Sequence, residues 1–225
     1  MLDLDLLQKF VINLKRRPDR LELFRSKCPL TNYTIIHGFD GKHASLESKK
    51  EQDLLVKFSN LKPGEEGVFI SHLRIFQKIV TDKIPFAFIM EDDAIFCEEF
   101  SKKCIEVLSE VPHDTDILYI GGRFTPDFIM TNGIKVSEHI IKHTRPFSFG
   151  IVCDRTMHAY ILSYKMAELL VNTFKSTNSI NTAIDDWILR ISIQNSIEIY
   201  NANPLLCHSP ILSDSDIRIH TAKYK

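Results

Sequence analysis

The sequence predicts an α/β chain in which a mostly parallel central sheet carries helices on both faces. Three observations predict it. Ile84-Pro85-Phe86-Ala87-Phe88-Ile89-Met90 is an apolar run without period-two alternation, as in a strand covered on both sides. Runs of this kind alternate along the chain with stretches whose apolar residues recur at helical spacing, the pattern of successive βα units. The central run stops abruptly at three acids, Glu91-Asp92-Asp93. In open α/β sheets such a strand end borders the crevice where ligands bind. Three adjacent carboxylates repel one another unless water screens them or a cation sits between them. A bare Glu-Asp-Asp is commonly no more than a solvated acidic turn, so the rest of the chain has to decide.

Composition sets bounds. The 225 residues suffice for one domain with a substantial core. Hydrophobic residues make up 44% and charged residues 25%, with a net charge of −1, so no basic excess points to nucleic acid. The N-terminus carries acids where a signal peptide would carry Lys or Arg, and no stretch approaches the roughly 18–20 apolar residues of a membrane span. Cys28, Cys97, Cys104, Cys153 and Cys207 are scattered and odd in number, with no Cys-x-x-Cys. They read as reduced residues of a chain in a reducing compartment, and a cytoplasmic location is expected.

Taken in order, Lys9–Leu14 reads as the first buried strand. The basic turn Lys15-Arg16-Arg17 follows, and Pro18 suits the first turn of a helix continued by Leu21, Phe24 and Cys28. This turn offers cations and helix N-terminal amides to an anion, although a solvated basic turn has the same composition. Tyr33–His37 is a second strand, running into the turn Gly38-Phe39-Asp40-Gly41. Ala44–Phe58 reads as a polar surface helix plus loop. Pro63-Gly64-Glu65-Glu66-Gly67 places acids at a helix start, where the macrodipole favours them, and Phe69, Leu73, Phe76 and Val80 form its apolar face. His72 beside that face is expected to be a packed, hydrogen-bonded core residue.

The acidic strand comes next, then an amphipathic helix over Cys97–Glu110 that Pro112 ends. Asp116–Ile120 is a further strand, and Gly121-Gly122 after it permits close backbone approach. Strand, helix and strand at this spacing predict a parallel βαβ unit. Arg123–Arg145 is irregular with a hairpin through Ile134–Val136 and His139–Ile141. Such an excursion is a place to grip a second substrate. Phe147–Cys153 and His158–Ser163 read as strands, and Tyr164–Phe174 as a helix. Asp185 and Asp186 open a helix containing Trp187, with Arg190 one turn after Asp186. They read either as helix N-terminal acids with an i,i+4 pair or as a general base and its positioning partner. Ile197–Tyr200 is a late strand, and the tail holds His208, Asp214 and Asp216.

Five stretches carry a family resemblance: Val11–Arg20, Gly38–Gly41, Gly64–His72, Ile89–Asp93, and His158–Ser163 with Ala167–Leu170 behind it. In their order and spacing the chain resembles glycosyltransferase family 25, which includes lipopolysaccharide glycosyltransferases and procollagen galactosyltransferases. Ile184–Trp187 and Ser215–Ile217 match later landmarks more loosely, and the segment after Pro204 departs from the family pattern. The resemblance implies a GT-A-like fold over a single domain, 1–225, with a nucleotide-sugar half over about 1–122 and an acceptor half with a closing tail over about 123–225. It implies a UDP-sugar donor, a glycan or hydroxylated protein acceptor, Mn2+ or Mg2+, and inversion at the anomeric carbon.

Carried onto these positions, Asp93 is the expected metal ligand, with Glu91 beside it and Asp92 supporting the ligand or touching the ribose. Asn13, Arg17 and Arg20 are expected on the nucleotide side, and Asp40 and Gly41 at the nucleoside. Asp185 is the base by alignment to the family motif, and Asp186 by its spacing to Arg190. His208 is the first expectation for the last metal ligand, followed by Asp214 and Asp216. The lack of a leader favours a bacterial or virus-encoded chain over one of the secretory pathway. Two other readings fit the composition: a relative that binds a sugar nucleotide without transferring it, and a metal-free α/β interaction module.

Overall fold

The computed structural model describes residues 2–44, 58–122, 133–143 and 157–208. The expectations for the helix after Ala44, for Phe147–Cys153, for Cys153 and for the tail with Asp214 and Asp216 lie outside these residues. The strands are β1 (Gln8–Asn13), β2 (Tyr33–His37), β3 (Phe86–Glu91), β4 (Ile95–Phe96), β5 (Ile117–Tyr119), β6 (Gly121–Gly122), β7 (Gly133–Lys135), β8 (Ile140–His143), β9 (Ala159–Ser163), β10 (Ile199–Ala202) and β11 (Cys207–His208). The helices are α1 (Pro18–Lys27), α2 (Pro63–Thr81), α3 (Phe100–Ser109), α4 (Tyr164–Ser176) and α5 (Ile184–Gln194).

Eight strands form one sheet in the order β2-β1-β3-β9-β5-β10-β8-β7, and β4-β11-β6 form a small second sheet. In the large sheet β2, β1, β3, β5, β10 and β7 run one way, while β9 and β8 run against them. The predominantly one-way sheet expected from the sequence is therefore present, with one correction. β3 and β5 point the same way around α3 but are not neighbours, because β9 lies between them, antiparallel to both.

The central strands are covered on both faces, as the unbroken apolar runs require. Alternate residues enter two separate cores. Phe10, Ala87, Ile89, Tyr160 and Leu162 join residues of α2, α4 and α5, while Val11, Phe88, Met90, Ala159 and Ile161 join Phe24 of α1 and Phe100, Cys104, Val107 and Leu108 of α3. Pro18 occupies the first turn of α1 and Pro63 that of α2. At the start of α2 the Lys62 backbone N–H donates to Glu65 Oε2 at 2.8 Å, satisfying the cap. Ser163 ends β9 and caps α4, its Oγ accepting from Met166 N at 3.0 Å.

Gly121-Gly122, where close backbone approach was expected, forms strand β6. A Cβ at Gly121 would come within 3.1 Å of the Cys207 carbonyl oxygen and 3.2 Å of its Cβ, so the close approach is to β11. Among the described residues, no helix is long and apolar enough to cross a membrane.

Candidate functional site

β1 and β3 are parallel neighbours in a register that sets Ile12 beside Glu91. Their carboxyl ends therefore lie side by side, bringing Asn13 and the β1–α1 turn against Asp92 and Asp93. Asn13 is buried, and its Nδ2 donates to Asp92 Oδ2 at 2.6 Å and to the Arg17 carbonyl at 2.9 Å. The Arg20 guanidinium, reaching over from α1, pairs with Asp92 and lies 3.2 Å from Asp93 Oδ2. Burial pushes the Asp92 carboxyl up to about 6, with Arg20 pulling against it. Burial also pushes Asp93 up, and the Glu91 charge adds to that, while His158 and Arg20 oppose it. The Arg20 guanidinium is raised because Asp92 and Asp93 outweigh the burial that would lower it.

Glu91 is different. Burial would raise it, but hydrogen bonds from His158 and His72 outweigh burial and hold it below the usual carboxylate range. His158 Nδ1 lies 3.2 Å from Glu91 Oε2, and His72 Nε2 lies 3.1 Å from Glu91 Oε1. The position of His158 follows from the topology. β9 runs antiparallel to β3 with Ala159 opposite Met90, so the residue before β9 meets the last residue of β3. The Glu91 backbone N–H donates to the His158 carbonyl at 2.9 Å.

Glu91, Asp93 and His158 each offer one ligand atom, and these atoms all lie within 4.8 Å of one another. Asp93 Oδ1 is buried and has no hydrogen-bond partner among the described residues. Two carboxylates and an imidazole suit Mn2+ or a similar divalent ion, so this donor set fits the ion the sequence led us to expect. A second group, Glu110, Glu138 and His139, lies at the β7–β8 hairpin. Glu110 there accepts from the His139 backbone N–H and meets His139 Nδ1, both at 2.8 Å, which clamps the hairpin to the end of α3.

The other expected site residues distribute as follows. Arg17 pairs with Asp19 at 2.7 Å. Asp40 accepts from Arg16 Nε at 2.5 Å and lies 3.0 Å from His43 Nδ1, tying the Gly38–Gly41 turn to the β1–α1 turn. Burial would raise the Asp40 carboxyl, but Arg16 and His43 outweigh it, and it is lowered. Gly41 packs on the start of α2, where a Cβ would fall 1.7 Å from the Pro63 carbonyl oxygen. Facing it, a Cβ on Gly67 would come 2.7 Å from the Phe39 carbonyl oxygen. Ser71 Oγ closes this junction, accepting from Phe39 N at 2.8 Å and donating to the Gly67 carbonyl at 2.6 Å. Two of the sequence stretches singled out above are thus one interlocked device.

Asp185 and Asp186 are half-buried in the first turn of α5, and the Asp186 N–H donates to Asp185 Oδ1 at 3.0 Å. Burial raises the Asp185 carboxyl, and the charges of Asp186 and Glu91 raise it further, which puts Asp185 within electrostatic reach of the Glu91 centre. His208 is exposed on β11 and stands outside the group of three. Its neighbour Cys207 is the buried one, its thiol raised by burial and by the charge of Asp93, as strand alternation requires.

Sequence reasoning missed His158 and His72 as partners of Glu91. A signal for His158 was present. It opens an apolar run as Glu91 closes one, and antiparallel pairing of the two runs brings both to the same sheet edge.

The chain matches the family model described as "Glycosyltransferase family 25 (LPS biosynthesis protein)" over residues 6–188. It is 25% identical over 182 residues to a mimivirus procollagen lysyl hydroxylase and glycosyltransferase, covering 72% of this chain and 19% of that protein. It is 28% identical over 129 residues to human procollagen galactosyltransferase 2, covering 50% of this chain and 20% of that protein. A bovine protein named "Probable inactive glycosyltransferase 25 family member 3" is 29% identical over 125 residues, covering 50% of this chain and 21% of that protein. The chain thus spans about a fifth of the length of each of these relatives.

Proposed function

The chain belongs to glycosyltransferase family 25, and from that membership we propose that it moves a hexose or N-acetylhexosamine from a UDP-sugar to a hydroxyl group of a glycan or hydroxylated protein, with inversion and with a divalent ion. The observation that carries this reading is the group Glu91, Asp93 and His158, with the buried, unpartnered Asp93 Oδ1 among its atoms. These three residues would hold the ion. His158 takes the place that the sequence alone suggested for His208, because it belongs to the group and His208 does not. When bound, a divalent ion supplies positive charge to the donor diphosphate as the glycosidic bond breaks.

The remaining work falls to the chain's own residues. Arg20 neutralises part of the charge at the acidic strand end, pairing with Asp92 and approaching Asp93. Asn13 fixes Asp92 to the β1–α1 turn, so the basic turn and the acids face the nucleotide together. Asp40, held by Arg16, borders the same side. Asp185 is the proposed base. Its raised carboxyl is more basic than an ordinary aspartate, and the charge of Glu91 contributes to that rise. It takes the proton of the acceptor hydroxyl as that oxygen bonds to the anomeric carbon and the bond to the UDP oxygen breaks. The UDP leaves with the bonding pair, and the opposite-face attack inverts the carbon.

The test is a thermal-shift and transfer assay with UDP-galactose, UDP-glucose and UDP-N-acetylglucosamine, each with Mn2+ and with a chelator. A metal-dependent rise is expected, about 2.7 kcal/mol for a ligand at roughly a hundred times its Kd, together with sugar transfer. No metal-dependent shift with any donor would overturn the reading. A shift without transfer would favour a binding relative, the reading suggested by the bovine protein's name.

A further inference from the structure

Behind the acidic strand end, a chain of buried polar groups leads into the hydrophobic core. His72 is 0% exposed on the inner face of α2, and Tyr160 is 0% exposed in the middle of the sheet. His72 Nδ1 lies 2.8 Å from the Tyr160 hydroxyl, and its Nε2 lies 3.1 Å from Glu91 Oε1. An ionised carboxylate only accepts, so the hydrogen between His72 and Glu91 sits on Nε2. With the ring uncharged, Nδ1 accepts and the Tyr160 hydroxyl donates to it. This orders the whole chain, from Tyr160 O–H to His72 Nδ1 and from His72 Nε2–H to Glu91.

We propose that His72, oriented by Tyr160, is a positioning residue that holds the Glu91 carboxylate in the orientation from which Glu91, Asp93 and His158 grip a divalent ion. The inference rests on the metal reading given above. Three features separate this role from plain core packing. The two ring nitrogens of His72 are engaged by two different elements, β9 and β3. The Glu91 oxygen that His72 holds is not the one that His158 approaches. Tyr160 also belongs to β9, the strand that delivers His158, so the same strand places one ligand and orients the support of another. Partners that fix a ligating carboxylate in this way characteristically govern metal affinity.

The experiment is isothermal titration of the full chain with MnCl2, without donor, for the wild type, His72→Leu, His72→Gln and Tyr160→Phe, each checked for folding by circular dichroism. His72→Leu removes the donor. His72→Gln restores an N–H at the position of Nε2. Tyr160→Phe removes one hydroxyl and keeps the ring. The expected result is about tenfold or more weaker Mn2+ binding in His72→Leu and in Tyr160→Phe, with His72→Gln recovering most of the affinity. Wild-type affinity in a folded His72→Leu or Tyr160→Phe protein would overturn the inference while leaving the metal site standing. If His72→Leu does not fold, Tyr160→Phe decides. Failure of the wild type itself to bind Mn2+ would overturn the metal reading and this inference with it.

Discussion

Asn13 and Asp92, 79 positions apart in the chain, are joined by a 2.6 Å hydrogen bond at the adjoining ends of two parallel strands. The same amide group donates to the Arg17 carbonyl at 2.9 Å. One buried side chain thus couples the basic turn to the acidic strand end. In Asn13→Ala two acceptors, one of them on the largely buried Asp92 side chain, lose their donor. A loss of about 1–3 kcal/mol in urea denaturation is expected, along with weaker UDP binding. Wild-type values in both measurements would show that the coupling is incidental.

Asp93→Asn keeps the volume of the side chain and removes a charge that burial and Glu91 both disfavour. The apo protein should keep its fold, and Mn2+-dependent UDP binding should disappear. Calorimetry with UDP in the presence of Mn2+ checks this. Unchanged affinity would remove Asp93 from the metal site.

Asp185 and Asp186 separate by turnover. Asp185→Asn should leave donor binding intact and lower kcat by about 10²–10⁴-fold, the usual contribution of a general base. Asp186→Asn should cost much less. The opposite ranking would move the base to Asp186.

The Asp92 carboxyl predicts a pH dependence in the metal-free protein. Its folded value of about 6 lies above its ordinary 3.8, so the folded state holds the proton more tightly than the unfolded chain. The stabilisation from Asp92 is therefore complete below about 4 and is lost as pH rises through about 6. Glu91 acts with the opposite sign, because its folded value is lowered, and its contribution disappears only in acid. Comparing wild type with Asp92→Asn in chelator isolates Asp92. The stability of the wild type relative to the variant should fall by up to about 3 kcal/mol between pH 4 and pH 7. A flat difference would show that Asp92 is not buried as described.

Gly41→Ala tests the interlock between the Gly38–Gly41 turn and α2. The new methyl group meets backbone at Pro63, which cannot move aside as a flexible side chain would. A loss of at least about 1–3 kcal/mol is expected in denaturation, with Asp40 displaced and donor affinity reduced in parallel. A neutral substitution would mean the turn and the helix are not locked.

Much of this arrangement was legible residue by residue. The unbroken apolar run before Glu91 announced a strand covered on both faces, and its residues do alternate between the two cores. Pro18 and Pro63 marked helix starts because a missing N–H costs nothing in a first turn. His72 read as a satisfied core histidine, and its two hydrogen bonds make it one. The strand run and the helix starts depend on neighbours within one or two turns of chain, and local physics writes them into the order of residues. For His72 the residue type beside an apolar face was local, while its partners Tyr160 and Glu91 are distant in sequence.

The pairing of distant segments is a different matter. An apolar run records that a strand is buried but not which strand lies beside it, so the insertion of β9 between β3 and β5 was not visible in the runs themselves. Two-residue strands such as β4, β6 and β11 have no period to detect, so Gly121-Gly122 read only as a place of close backbone approach. His158 illustrates both limits. Its residue type and its apolar successors were plain in the sequence, yet its meeting with Glu91 depends on direction and register across the sheet. The order of residues established the acids, the strand that carries them and the family. Sheet pairing, a balance of long-range contacts, settled which histidine stands among them.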